Sequence, residues 1–403
     1  MSTSSSTPVD LTNLDFGVDP FPGTELHEVL ANLRESQRAA SVKFHGGDAV
    51  LFTRYEDVHE AFRDDQKFPG GDFYEGAIEP VVGRTFISMN GREHDLHRKL
   101  ATPAFRSRAV TQFDEEALVP LAHEVVDKFA DWGHADLVSE LTTVFPFAAI
   151  TRKLGVPRRA DEQMREWADR MLAYPADPDA AVTAAEEFSE ALGPLLEERR
   201  SNPGDDLLSE LAATDVGGEK LSDDEICATI RLLFAVGATT TSHAMGNMLW
   251  TLLDRPDLLE RARENESVRA GIVQELLRWE GPLPTLPRLA SKDARHAGAN
   301  IPAGTLMLFG LASANRDPRV FGEDAGTFDP ERAPGVQAAD IITFGFGPKF
   351  CPGSHLARRE LLTALTVVLE KLPGLHLSDP EGSEPRGGVL RHPDHLHVAW
   401  DVQ

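Results

Sequence analysis

Apolar positions along much of the chain recur at i, i+3, i+4 and i+7, the spacing of an amphipathic helix. From Glu93 to about Asp254 nearly every periodic segment reads this way, including EHDLHRKL, the stretch Phe113 to Trp132, ADEQMREWADRML and DAAVTAAEEFSEALGPLLEERR. Before that, residues 40–60 carry a short β-like pair, SVKFHGG and AVLFT, followed by a helical YEDVHEAFRDD. After Leu283 the character changes: PLPTLPRLASKD, ANIPAGTLMLFG and HLHVAW read as extended segments between Gly/Pro turns. The pattern predicts a mainly α fold with a smaller β-rich portion. Because the strand-rich residues are not contiguous, residues 1–403 are read as one domain, with the Ser/Thr-rich residues 1–10 as a disordered tail.

The longest predicted helix is the most informative. Ser222 followed three residues later by Glu225 is a capping box, and Arg255-Pro256 stops the pattern. Residues 223–254 span roughly 48 Å at helical rise. The middle, LLFAVGATTTSHAMGNMLW, is apolar on most sides and is expected to cross the core. Gly237 followed by three threonines is costly inside a helix, by about 1 kcal/mol for the glycine alone, so a locally opened turn is expected there.

Composition narrows the function classes. Hydrophobic residues at 41% and charged residues at 26% are globular proportions. A formal net charge of −25 argues against duplex nucleic acid or an anionic membrane as partner, since both need a basic footprint. The opening MSTSSSTPVD has no secretory pattern, no apolar run is long enough to span a bilayer, and the two cysteines form no metal or disulfide spacing. A cytoplasmic location is the expectation.

One of those cysteines carries the candidate chemistry. Cys351 lies in TFGFGPKFCPGSHLARRE, between a glycine-studded stretch and a long helical pattern. A thiol at a helix N-terminus faces free backbone N–H groups, which favour thiolate. Gly345, Gly347 and Gly353 leave room for something flat to approach the backbone; a buried cysteine beside a tight turn is the plainer alternative. No strand–glycine–helix unit with a downstream acid supports a dinucleotide site. Glu275 and Arg278 share a helix face. His94 and Arg98 share another, and with Arg288 they are cations gathered from separate segments, as an anionic ligand requires. Cys227 reads as a small buried hydrophobe.

Together these segments resemble the cytochrome P450 family of haem-thiolate monooxygenases over nearly the full length. The resemblance rests on Phe344-Gly345-Phe346-Gly347-Pro348-Lys349-Phe350-Cys351-Pro352-Gly353, on Glu275-Leu276-Leu277-Arg278, and on Val236-Gly237-Ala238-Thr239-Thr240-Thr241. Asn315-Arg316-Asp317-Pro318 and Phe328-Asp329-Pro330-Glu331-Arg332 also match. It implies haem b as cofactor, with the Cys351 thiolate as axial iron ligand. It implies that Phe344 and Gly353 pack beside the haem, and that His94, Arg98, Arg288 and Lys349 meet its propionates. Glu275, Arg278 and Arg332 would form a buried network bracing the cysteine loop. Gly237 and Ala238 would open space for dioxygen, and Thr240 would assist proton delivery.

Two departures from the family pattern stand out. Thr239 occupies the position where an acid usually precedes the helix threonine, and Lys349 stands where His or Arg is usual. The first leaves a peroxide-driven oxidase or a non-catalytic haem-binding sensor as alternatives to a monooxygenase fed by NAD(P)H through a reductase and ferredoxin. Phe73, Ile87, Leu233, Phe234, Val236, Ala238, Thr241, Thr285 and Leu286 are the candidate lining of a pocket for a hydrophobic substrate such as a terpenoid, steroid, fatty acid or polyketide. Arg358 and Arg359, with Arg106, Arg108 and Lys349, are a candidate docking island for an acidic ferredoxin. A cysteine hydrolase using Cys351 and His355 lacks an orienting acid. His392, His395 and His397 near the C-terminus read as part of an edge strand rather than a metal site.

Overall fold

The computed structural model describes residues 14–157, 161–174, 177–332 and 340–402, so the tail expected over residues 1–10 lies outside the described residues. Its longest element is the helix Asp223–Leu253, which starts on the capping box read from the sequence. The Ser222 N–H donates to Glu225 Oε2 at 2.7 Å, and the Glu225 N–H donates to Ser222 Oγ at 3.3 Å. Residues on most sides of this helix are buried, and it packs against the helices Val144–Leu154, Pro178–Ser201, Glu266–Trp279 and Ser354–Lys371. Phe234 is fully buried between the rings of Phe147 and Phe188, at 5.6 and 5.5 Å.

The opened turn expected at Gly237 is not formed; the helix is continuous. Thr239, Thr240 and Thr241 donate their hydroxyls to the carbonyls of Ala235, Val236 and Gly237 at 3.0, 3.1 and 3.1 Å. Each hydroxyl is satisfied one turn back on its own helix, so a run of threonines need not break the backbone ladder.

Among the described residues, nine short strands complete the fold. β1 (Ala39–Phe44) and β2 (Gly47–Phe52) form a hairpin. β3 is His134–Asp136, β4 Thr285–Leu289, β5 Ala294–His296, β6 Ala299–Ile301, β7 Leu306–Gly310, β8 His376–Leu377 and β9 His397–Ala399. One sheet has the order β1-β2-β7-β4, with β2 and β7 parallel and the other pairs antiparallel. A second has the order β3-β9-β8, so the C-terminal strand is central and not an edge as the sequence reading had it. Alternation explains its burial: Leu396, Val398 and Trp400 turn inward while His395 and His397 stay exposed.

A buried polar knot ties the two ends of the chain to the core. Glu280 sits just past the helix Glu266–Trp279 and contacts Arg391, Arg316 at 3.3 Å and His27 at 2.8 Å. From the long helix, Asn247 donates to the carbonyls of Glu280 and Arg391 at 3.1 and 3.0 Å. Burial, reinforced by Arg316, pushes the His27 imidazole down to about 4, so it is neutral and donates to Glu280. Burial likewise pushes His243, stacked on His392 at 3.9 Å, down to about 3.

These two histidines set an acid limit. Each stays neutral in the folded chain while the unfolded chain takes up a proton near pH 6.5. Their stabilising contribution is therefore complete above pH 6.5 and is lost as pH falls toward about 4 for His27 and about 3 for His243. Urea midpoints should fall between pH 6.5 and 5, and His243→Phe should flatten that slope. A slope identical to wild type would show that His243 does not contribute to it.

Candidate active site

The loop before Cys351 is closed by its own backbone. The Cys351 N–H donates to Phe344 O at 2.9 Å, Gly345 N–H to Ile342 O at 2.9 Å, and Phe350 N–H to Gly347 O at 3.1 Å. Gly345 and Gly347 both have φ of 73°, a left-handed backbone that favours glycine, and a Cβ on Gly347 would come within 3.0 Å of Phe62 O. These two glycines thus serve the turn. Gly345 and Gly353, but not Gly347, also line a cavity.

That cavity, about 1480 Å³ with the solvent at its open mouth included, lies between the cysteine loop and the long helix. Its wall brings together Cys351, Phe344 and Gly353 from the loop, Leu233, Val236, Gly237, Thr240 and Thr241 from the long helix, and Ile87, Leu286, Arg98, Arg288 and Lys349 from other segments. Phe73, Phe234, Ala238, Thr239 and Thr285 lie outside it. Phe73 packs toward the β1–β2 side, and Phe234 and Ala238 are in the helical core. The Thr285 hydroxyl is spent on Gly388 O at 2.7 Å, and Thr239 turns to Ala235. Tyr74, Ile150, Phe105, Leu283 and Glu360 line the cavity without having been singled out in the sequence.

Burial pushes the Cys351 thiol up, against opposing pulls from the Gly353 N–H, Arg98, Arg358 and the Ser354 N–H. The helix start alone therefore does not make a thiolate, contrary to the sequence expectation. A positive partner on the sulfur would favour the thiolate.

The cations of the cavity point to the same conclusion. Arg288 is 4% exposed; its guanidinium lies 5.8–5.9 Å from the rings of Phe62, Tyr74 and Phe309, and Nη1 donates only to Pro287 O. Arg98 donates to Phe350 O. Lys349 points inward to the carbonyls of Phe86, Ile87 and Met89, and burial pushes it down to about 8. Among the described residues none of the three is within ion-pair distance of a carboxylate. Nearby, His94 is 2% exposed, with Nδ1 on Asp95 at 3.1 Å and a buried Nε2 that has no partner among the described residues. A flat, apolar, dianionic metallomacrocycle answers each feature: volume, unpaired cations, an orphaned imidazole nitrogen and a thiol awaiting a metal. The residues fit a haem.

A buried network holds the loop in register. Arg278 is fully buried and pairs with Glu275 through two bonds, at 2.8 and 2.6 Å. Arg332 joins Glu275 Oε1 at 3.2 Å. Arg278 also donates to Asn315 O at 2.8 Å; the Asn315 side chain accepts from Ile342 N–H at 3.0 Å and donates to Thr343 Oγ1 at 2.7 Å. Thr343 returns its hydroxyl to Leu277 O. Asn315 and Thr343 are thus the link between the acid–arginine helix and the residues just before Phe344. Asn315 had a family match in the sequence without a role, and Thr343 had none.

The docking island expected around Arg358 is altered. Arg358 folds over the Phe344 ring at 4.5 Å and donates to Ser354 O, so it faces inward. Arg359 pairs with Asp114 at 3.4 Å, while Arg106 and Arg108 are exposed.

Comparison with known proteins agrees with the geometry. The family model for Cytochrome P450 matches residues 178–400. Nocardicin C N-oxygenase of Nocardia uniformis subsp. tsuyamanensis is 34% identical, the alignment covering 98% of this chain and 100% of that protein. Mycinamicin IV hydroxylase/epoxidase of Micromonospora griseorubida is 32% identical over 91% of this chain and 94% of its own. Among solved structures, a cytochrome P450 from Chondromyces apiculatus superposes with a TM-score of 0.86 at 28% identity, covering 98% and 99% of the two chains. The chain belongs to the cytochrome P450 family, whose members are haem-thiolate monooxygenases.

Breaking the network should be costly. Arg278→Ala strands the buried Glu275 charge, and a loss of about 3–5 kcal/mol is expected, together with a large fall in haem content per polypeptide. Arg278→Lys, which keeps the charge but not the fork, should recover only part of either. Full haem content in Arg278→Ala would show that the network does not brace the loop.

Proposed function

We propose that this chain oxygenates a hydrophobic small molecule using haem b, with electrons delivered from NAD(P)H by a ferredoxin-type donor. The observation that carries the reading is the meeting, in one apolar cavity, of Cys351, three unpaired cations and Thr240. When bound, the haem would supply dioxygen activation, with the Cys351 sulfur as the ligand that would donate electron density for it. The chain supplies the rest. Arg98, Arg288, Lys349 and His94 Nε2 would hold the propionates by charge-assisted hydrogen bonds. Leu233, Val236, Ile87, Leu286 and Ile150 shape an apolar space for substrate and exclude water. The lining selects for hydrophobicity and size, as a terpenoid, steroid, fatty acid or polyketide would offer. The two relatives are named for action on nocardicin C and mycinamicin IV, which fits a family that varies substrate within one architecture.

Proton supply is the step the sequence left open. Thr240 commits its hydroxyl proton to Val236 O at 3.1 Å, leaving its oxygen free to accept a hydrogen bond from the cavity side. Glu360 is 3% exposed and lines the same cavity, and its Oε2 has no partner among the described residues. Burial holds its carboxyl well above the usual carboxylate range, which favours the protonated form. We assign Glu360 as the acid that replaces the one missing at Thr239, with Thr240 orienting the transferred proton. This favours the monooxygenase over the peroxide-driven reading. Exposed Arg106 and Arg108, with Arg359 and the exposed Phe350 ring, are the groups available to an acidic electron donor on the thiolate side.

Two experiments test this reading. Cys351→Ala should abolish the thiolate-type spectrum of the reduced, carbon-monoxide-bound protein, and an unchanged spectrum ends the assignment. With a surrogate ferredoxin, its reductase and a compound found by spectral titration, Glu360→Gln should lower product formation by about 10²-fold and divert reducing equivalents to hydrogen peroxide. Wild-type coupling in Glu360→Gln would remove Glu360 from the proton path. Turnover of wild type by added hydrogen peroxide alone, with none from the reductase system, would favour the peroxide-driven alternative.

A further inference from the structure

The sheet β3-β9-β8 lies away from the haem cavity, and its exposed face has a chemistry of its own. Antiparallel register sets Asp136 on β3 directly opposite His397 on β9. Two residues earlier in the same extended segment, His395 emerges on the same face. Ligand atoms of Asp136, His395 and His397 all lie within 4.8 Å of one another. The two imidazoles are stacked, with centroids 5.5 Å apart and 7° between their planes.

The carboxylate is held in place by backbone. Asp136 Oδ1 accepts the N–H groups of Val138 at 3.0 Å and Leu396 at 2.8 Å. Its second oxygen, Oδ2, turns to the imidazoles and lies 2.9 Å from His395 Nδ1. Both imidazoles are exposed, so an ion from solvent has access. His134 and His376 share the face, each opposite Ala399, but their Nδ1 atoms are bonded to Trp132 O at 3.1 Å and Gly374 O at 2.8 Å. They stand outside the converging trio.

Two imidazoles and one carboxylate oxygen suit a borderline ion that accepts nitrogen and oxygen at about 2.0–2.2 Å. Calcium and magnesium call for all-oxygen shells instead. We propose that Asp136, His395 and His397 form a surface site for a divalent transition-metal ion of the kind imidazole favours, Zn²⁺ being the representative. Water fills the remaining positions of such a three-ligand site. The ion clips the C-terminal strand to the segment that leads, through Val138–Thr142, into the helix Val144–Leu154, whose Ile150 lines the haem cavity. Binding the folded form alone, it raises stability by mass action.

The test is a calorimetric titration of the haem-loaded full chain with zinc chloride, after chelator treatment and its removal. One saturable equivalent is expected for wild type, and His395→Ala and His397→Ala should each weaken it by about tenfold or more. His134→Ala, an exposed histidine on the same face, should bind as wild type. Zinc should raise the thermal midpoint of wild type and of His134→Ala but not of His397→Ala, with far-ultraviolet and Soret spectra of all variants matching. No saturable equivalent, wild-type zinc affinity in both ligand variants, or equal weakening by His134→Ala would each overturn the proposal.

Discussion

Charge balance in one apolar cavity is the constraint on which the site depends. Arg98, Arg288 and Lys349 reach it from three separate parts of the chain, and none is paired with a carboxylate among the described residues. Lysine is pushed down by its burial, as is the guanidinium of Arg98, while the Cys351 thiol is pushed up. Each of these groups is strained in the same sense: its charged form is disfavoured by the surroundings. A ligand with two carboxylates at its rim and a cationic metal at its centre relieves all of them together.

Rigidity around that cavity comes from polar networks as much as from packing. The Glu275–Arg278–Arg332 cluster passes through Asn315 to Ile342 and Thr343, which fixes where the cysteine loop begins. The Glu280 knot does a parallel job for the chain ends, drawing His27 and Arg391 to the same helix end. Both clusters start from one helix and its first following residue. That helix therefore connects the N-terminal helix, the C-terminal segment and the thiolate loop, and damage there should be felt in haem retention before it is felt in substrate choice.

Much of this was legible in the sequence because local signals agreed with the fold. The capping box at Ser222 and Glu225, the period of the long helix and the cysteine loop with its acid–arginine partner each point to the structure that forms. What was illegible depended on tertiary placement. Phe234 and Val236 are both apolar residues of one helix, and only packing against Phe147 and Phe188 decides that the first is core and the second cavity wall. Arg358 read as part of a docking island, and only the tertiary fold shows that the Phe344 ring gives it a surface to cover. Thr239 to Thr241 suggested a broken turn, but back-bonding to carbonyls keeps the ladder whole. Glu360 did leave a trace: with Leu356, Leu361 and Ala364 it falls on the apolar stripe of its helix, where a carboxylate calls for an explanation.

The central claim, that the cavity cations exist to meet two carboxylates, is most directly tested by comparing hemin with hemin dimethyl ester as ligands of the refolded apoprotein. The ester keeps the macrocycle and the iron but removes both negative charges. Two lost charge-assisted interactions should weaken binding by about a hundredfold or more, while the thiolate spectrum of whatever ester does bind stays the same. Equal affinity for the two compounds would contradict the account, because Arg98, Arg288 and Lys349 would then be unpaired in the loaded protein as well.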